Sequence, residues 1–482
     1  MAGREKSYSN MIEIIDQTRV FLPPKTEDSR PSALPLTFMD IPWLLLYPMQ
    51  RVYFYDFPHS TLHFTNSAIP LLKRSLSAAL GRFYPLAGSL ASPPPPGKPH
   101  ILLSHSDGII FTTAISTADY TELISDKPQY VGLLHSLVPP LPVPRVEDDG
   151  TTVAPILAIQ ATLFPDSGLC IGARHLHVAA DGTANNHFLK TWASMCMAEL
   201  EGQPARIEKS LPVHDRNVVK DPNGIEPVLL KDWFSILEDN SSPSPSPNPG
   251  PSPNMDKAIA TFTLSRDQIS RLKSWVLTKL SPATSESELE LLHLSTFSVA
   301  CAYTWVCLIK SKEIERCDPS SDRDFGNIIY RFGFVADCRN RLEYPIPMTY
   351  FGNCLDLLPI TLERVVLVGT HGVASAAGAI GAKVKELGRE GGVLKEAKRS
   401  ISMFKNAGDF VSVAGSPRQR TYETNFGWGR PRKVLLVHID ASECFSLLDS
   451  PDEEGCVEIG LALRKESMDT FSTLFQQGLN SF

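Results

Sequence analysis

The chain has no surplus of positive charge. Its 46 lysines and arginines are outnumbered by 53 aspartates and glutamates, for a net charge of −7. A nucleic-acid binder needs a basic surface to neutralise phosphates, so that class is excluded; a local basic patch for a small anionic molecule is not. No run of ~18 apolar residues occurs, so no membrane-spanning helix is expected. Arg4, Glu5, Lys6, Glu13 and Asp16 replace the apolar core that a signal peptide would need. Ala2 and the terminal Leu-Asn-Ser-Phe482 offer no lipidation motif. Cysteine pairing is missing as well. The nine cysteines, an odd number, contain no Cys-x-x-Cys spacing, and several, such as Cys301 and Cys307, sit in apolar runs. They are expected to be buried free thiols in a reducing compartment, which makes the cytosol the expected location.

Several chemistries are absent too. There is no Gly-x-Ser-x-Gly elbow for a serine hydrolase. Nothing marks a nucleophile among the cysteines, which would need a histidine and an electropositive niche. His175, His177 and His187 lie near Asp181, but no His-Glu-x-x-His or cysteine pair completes a metal set. The glycines at 369, 372, 378 and 381 follow no phosphate-loop pattern. A small-residue helix packed closely on a sheet is predicted there instead.

What is present is an ordinary globular composition, 43% hydrophobic and 21% charged. A length of 482 residues suits about three domains or two larger ones, each able to bury a core. Aromatic and β-branched composition predicts a strand over 51–57. Ile69, Leu72, Leu76 and Leu80 predict a helix over 66–82. Segments 100–114, 153–164 and 168–176 read as strands, and 183–200 reads as a helix. The Pro/Ser alternation of 240–254 cannot form a packed core, so 205–257 is read as a long crossover. Beyond it, strands are predicted at 261–264, 327–336 and 434–439, and helices at 267–280 and 295–310.

The chemistry points to His177-Val-Ala-Ala-Asp181-Gly182, at the junction of a predicted strand and helix, where α/β proteins commonly place working groups. A neutral imidazole can take a proton from a hydroxyl or amine near neutral pH. Asp181 can order the loop by pairing with an arginine, and Gly182 permits a tight turn. Taken alone, the pair also suits an ordinary surface histidine. Asn425-Phe426-Gly427-Trp428-Gly429 alternates aromatic anchors with glycines and reads as scaffold.

These residues resemble those of the plant BAHD acyl-CoA-dependent acyltransferases. His177–Gly182 is similar to the family's His-x-x-x-Asp-Gly motif, and Asn425–Gly429 to its Asp-Phe-Gly-Trp-Gly motif. Leu36–Trp43, Gly81–Gly88 and Asp337–Arg341 extend the resemblance almost end to end. Tyr350-Phe-Gly-Asn-Cys354 is similar to the signature of the branch acting on anthocyanin and other flavonoid or phenolic glycosides.

The resemblance implies an α/β fold of two chloramphenicol-acetyltransferase-like halves, each a mixed sheet with flanking helices, joined by a long crossover loop. The expected division is 1–204, crossover 205–257, and 258–482. It implies His177 as general base and Asp181 holding its loop through Arg339 or Arg341. Ser265 and Arg266 become candidates for the CoA phosphates, or else an ordinary helix cap and surface charge. No metal or permanent cofactor is implied; acyl-CoA is a co-substrate. The acceptor is a phenolic glycoside receiving a malonyl or hydroxycinnamoyl group, and the enzyme is expected to be a monomer. Another alcohol or amine acceptor stays open, as does a non-catalytic ligand-binding relative. Asn425 departs from the family's aspartate, which is thought to pair with an arginine away from the reaction centre. Asparagine keeps the shape and an acceptor oxygen but loses the charge, which predicts lower stability or a subtle channel change.

Overall fold

A computed structural model describes residues 11–24, 32–104, 107–203, 211–238, 256–280, 294–316, 328–389, 391–405 and 410–482. The proline/serine segment of the crossover lies outside the described residues. Strand Leu157–Phe164 is buried at every position, which places it inside a sheet covered on both faces. Its six-stranded sheet runs Ile12–Phe21, Gly108–Ser116, Leu157–Phe164, Gly168–His175, Met49–Asp56, Lys433–Leu436. The pairing of Leu157–Phe164 with Gly108–Ser116 is parallel and the others are antiparallel, so the sheet is mixed.

The second sheet has seven strands, ordered Leu355–Glu363, Ile329–Asp337, Phe410–Ala414, Cys444–Asp449, Val457–Arg464, Lys257–Leu264, Gln129–Tyr130. It too mixes parallel and antiparallel pairs. Helices Arg266–Leu280, Thr296–Arg316, Gly372–Glu386 and Lys465–Asn480 contribute to its core. The predicted small-residue helix is therefore present as Gly372–Glu386, with Ala374, Ala376, Ala377, Ile380 and Gly381 buried. A smaller five-stranded sheet, from Ala33–Pro35 to Arg145–Val146, completes the architecture.

Each large sheet borrows an edge strand. Lys433–Leu436 pairs with Met49–Asp56 in the first sheet, and Gln129–Tyr130 pairs with Lys257–Leu264 in the second. Accordingly Phe426, Val434, Leu436 and Ile439 belong to the core built around the first sheet. Three predicted strands are corrected. The 100–114 segment holds two strands, His100–Leu102 in the small sheet and Gly108–Ser116 in the six-stranded one. The 434–439 run is strand only over Lys433–Leu436, then becomes a 3-10 turn Val437–Ala441. The 153–164 run is two strands, Thr152–Pro155 in the small sheet and Leu157–Phe164 in the large one. Of the nine cysteines, eight fall among the described residues; all eight are free and all but Cys444 are buried.

Candidate active site

Strand Gly168–His175 is buried at all but one of its positions and ends at His175. The chain then makes a 3-10 turn, His177–Ala179, before helix Gly182–Glu201 begins. Asp181 starts that helix in the manner of its residue type: its Oδ1 accepts the N–H of Ala184 at 2.9 Å. The sequence reading of Gly182 as a turn glycine is corrected. Its φ is not positive, and a Cβ there would meet Nε2 of Gln419 at 2.2 Å. The glycine makes room for the tip of the Gln419 side chain rather than for a backbone twist.

The second oxygen of Asp181 accepts the N–H of Cys354 at 3.0 Å and pairs with Nη1 of Arg339 at 2.8 Å. Both side chains of that pair are fully buried. Arg339 also binds Asp337 Oδ2 at 2.9 Å and the carbonyls of Tyr350 and Gly352 at 3.1 and 3.2 Å. Of the two arginines proposed for Asp181 from sequence, the structure brings Arg339 to it; Arg341 instead donates to the carbonyl of Asp337. Asp181 makes no hydrogen bond to His177. It shapes the loop and acts on the imidazole only through space.

His177 lies on the wall of a cavity of about 2450 Å³, lined from both large sheets. That is more than twice the upper end of ordinary ligand pockets, ~1,000 Å³, so two sizeable substrates fit together. His177 stacks on Trp43 with ring centroids 4.2 Å apart and planes 16° apart. Burial pushes its pKa below the ordinary imidazole value; the charge of Asp181, its own backbone, Asn353 and the charge of Asp40 oppose this. The imidazole is therefore held neutral, the form a base requires. His175 and His438 also line the cavity, with pKa values lowered chiefly by burial, His438 to about 4. Among the described residues, no three histidine, cysteine or acidic side chains cluster as a metal site.

Three residues of this site had no assignable role in the sequence: Trp43, Asp40 and Asn353. Their only signal was membership of the two segments 36–43 and 350–354 that carry the family resemblance.

Asn425–Gly429 lies off the cavity wall, against the helix that follows Asp181. Phe426 meets Trp192 of that helix edge-on at 4.7 Å, and Trp428 meets Phe57 at 5.2 Å. Gly427 and Gly429 have φ of 107° and 92°, which L side chains rarely adopt. Asn425 Oδ1 accepts the N–H groups of both glycines, at 2.8 and 3.0 Å. No arginine among the described residues bonds it, so in this chain the side chain serves the turn's own backbone. Asn425→Ala is expected to cost about 0.5–1.5 kcal/mol, the net worth of ordinary hydrogen bonds, because water can reach the exposed N–H of Gly429. Asn425→Asp retains both bonds, charge-assists them, and is expected to raise the melting temperature with little change in turnover. Thermal denaturation of the two variants checks both signs.

Ser265 and Arg266 begin helix Arg266–Leu280. Ser265 and Gln268 bond reciprocally, Ser265 N to Gln268 Oε1 at 2.8 Å and Gln268 N to Ser265 Oγ at 3.2 Å. This is a capping box, and it occupies the hydroxyl. Neither residue is on the cavity wall, but Arg266 packs beside Gly455, which is.

Two interlocked mixed sheets carry a histidine and a buried aspartate–arginine clamp at a shared cavity, an arrangement that suits a two-substrate α/β transferase. The chain matches the Transferase family over residues 10–477 and belongs to that family, the BAHD acyl-CoA-dependent acyltransferases. It is 36% identical, over 98% of both chains, to coumaroyl-CoA:anthocyanidin 3-O-glucoside-6''-O-coumaroyltransferase 1 of Arabidopsis thaliana. It is 35% identical, again over 98% of both, to malonyl-coenzyme A:anthocyanin 3-O-glucoside-6''-O-malonyltransferase of Dahlia pinnata. Its fold is similar to that of vinorine synthase, with a TM-score of 0.67 at 19% identity, covering 95% of this chain and 96% of that one. Acyl-CoA is thus the co-substrate. No described helix is long and apolar enough to cross a membrane.

Proposed function

We propose that the protein transfers a malonyl or hydroxycinnamoyl group from CoA to a sugar hydroxyl of a flavonoid or other phenolic glycoside. The observation that carries this reading is His177 on the wall of a cavity that both sheets line. Relatives named for coumaroyl and malonyl transfer to anthocyanin glucosides support the substrate class. In this reading His177 removes the proton from the sugar hydroxyl. Its Nδ1 is buried, which leaves Nε2 to meet the substrate. The alkoxide oxygen attacks the thioester carbonyl, the C–S bond breaks, and the proton held by His177 passes to the departing CoA sulfur. The nucleophile belongs to the acceptor, so no acyl-enzyme forms and kinetics are sequential.

Arg339 and Asp181 hold the loop, and Asn425–Gly429 fixes the helix behind it. Arg266, beside Gly455, is read as a contact for the CoA phosphates. The protein is read as a cytosolic monomer, which the free cysteines support as to compartment. The division into halves 1–204 and 258–482 with crossover 205–257 is retained as the working description, each half lending one edge strand to the other's sheet. The test is free-thiol release from malonyl-CoA and coumaroyl-CoA with glucoside acceptors, products being identified by mass.

The base acts in its neutral form, so activity falls as pH drops through the pKa of His177. Burial depresses that pKa, so the acid limb of kcat/KM is expected below the ~6.5 of a free imidazole. A pH–rate profile in the presence of both substrates checks this; an acid limb at or above that value would contradict the burial argument.

A further inference from the structure

Asn353 and Asp40 lie 313 residues apart in sequence and bond twice: Asn353 N and Nδ2 both donate to Asp40 Oδ1, at 3.1 and 3.0 Å. Neither has any solvent exposure. The Nδ2 amide also reaches the carbonyl oxygens of His177 at 3.0 Å and Val178 at 3.1 Å. The other oxygen of Asp40 accepts from Thr37, its N–H at 2.8 Å and its hydroxyl at 2.7 Å. Every hydrogen bond to Asp40 comes from a neutral donor, and among the described residues no cation pairs with it at contact distance; the buried Arg216 acts on it through space. Removing a carboxylate from water is costly unless its hydrogen bonds are filled. Here one amide fills part of that need and, with the same nitrogen, grips the backbone of the base. Three residues beyond Asp40, Trp43 covers the His177 ring.

We propose that Asn353, anchored by Asp40, is the positioning residue that holds the His177 backbone for proton transfer, while Trp43 fixes the plane of its ring. The inference rests on the reading of His177 as the base. It assigns a task to segment 37–43, and adds to the clamp contacts of 350–354 a direct hold on the backbone of His177. Neither Asp40 nor Asn353 touches the cavity, so neither is a catalytic residue.

Misplacement of a reacting group by about 1 Å costs on the order of 10²-fold. Asn353→Ala is therefore expected to lower kcat by about that factor while the KM for acyl-CoA and for acceptor stays within about 2-fold, the signature of lost alignment rather than lost binding. The charged and titratable groups facing His177 are Asp181, Asp40, His175 and His438. Asp40→Asn removes one negative charge that favours the imidazolium, so the acid limb of kcat/KM is expected to move to lower pH. Thr37→Val loosens the same corner without changing charge and is expected to leave the limb where it is. A folded Asn353→Ala protein with wild-type kcat would overturn the proposal. Asn353→Ser, which stays polar but cannot span Asp40 and the His177 carbonyl, takes its place if Asn353→Ala fails to fold, and wild-type kcat there would likewise overturn the proposal. His177→Ala, assayed alongside, separates the two claims: turnover retained there sinks the base assignment itself, whereas turnover lost there but kept in Asn353→Ala sinks only the positioning role.

Discussion

His177→Ala is expected to lower turnover by ~10²–10⁴-fold, the usual cost of removing a general base, while acyl-CoA still binds. The reasoning is geometric first. His177 lies on the cavity wall, is stacked on Trp43, and is held at its backbone by Asn353. Three other histidines line the cavity, and of these His187 is carried on the helix Gly182–Glu201 with its ring edge-on to Phe83 at 5.0 Å rather than on the Trp43 and Asn353 support. His175 and His438 have strongly depressed pKa values, and His438 Nδ1 is engaged with the backbone of Gln50 at 3.1 and 3.0 Å. They are poor substitutes for a base that must gain and return a proton. Removing the imidazole leaves the Asp181–Arg339 clamp untouched, so the variant should fold. Calorimetric acyl-CoA binding near wild type, together with the loss of turnover, would place the defect in the chemical step. Turnover within a few-fold of wild type would remove His177 from the reaction.

Arg339→Met is expected to destabilise the protein by about 3–5 kcal/mol, the range for breaking a buried ion pair by deleting one partner. Asp181 and Arg339 are fully buried, and deleting the guanidinium leaves the carboxylate with only the N–H groups of Ala184 and Cys354. The variant also strips donors from the carbonyls of Tyr350 and Gly352. Methionine retains much of the apolar volume, so the loss reads charge and hydrogen bonding rather than a cavity. Asp181→Asn combined with Arg339→Met removes both charges and should recover part of the loss, because the penalty of an unpaired buried charge disappears. Denaturant melts of the two single variants and the double variant measure that coupling. A single-variant loss under about 1 kcal/mol, the range of an exposed pair, would mean the clamp is not what holds the loop.

The parts of this site that were legible in the sequence are those set by short-range rules. His177 and Asp181 stand four residues apart at a strand–helix junction, and an aspartate before a helix is an N-cap wherever it occurs. The clamp was narrowed to two arginines, and the choice fell to Arg339 because a tertiary contact with the 350–354 loop selects it. The task of Asn353 could not be read, because its partners Asp40 and His177 are 313 and 176 residues away. The surroundings of Gly182 could not be read either, since the neighbour that fills the space beside it is the side chain of Gln419, from a distant loop. Likewise, the apolar run Val434–Leu436 marks a strand but cannot say that its partner is Met49–Asp56, far earlier in the chain. Ser265 illustrates the converse: the capping box with Gln268 is local, and the cap reading of that hydroxyl follows from sequence alone.

The measurement that bears most directly on the central claim is acceptor-dependent CoA release. Purified protein is mixed with malonyl-CoA or coumaroyl-CoA, with and without cyanidin and quercetin glucosides, and both free thiol and product mass are followed for wild type and His177→Ala. The account predicts release from one donor class only when a glucoside is present, a glucoside heavier by that acyl group, no acylated protein at any time, and loss of all this in His177→Ala. Release without acceptor through an acylated protein, or no release with any pair despite measurable acyl-CoA binding, would contradict direct transfer to a glycoside.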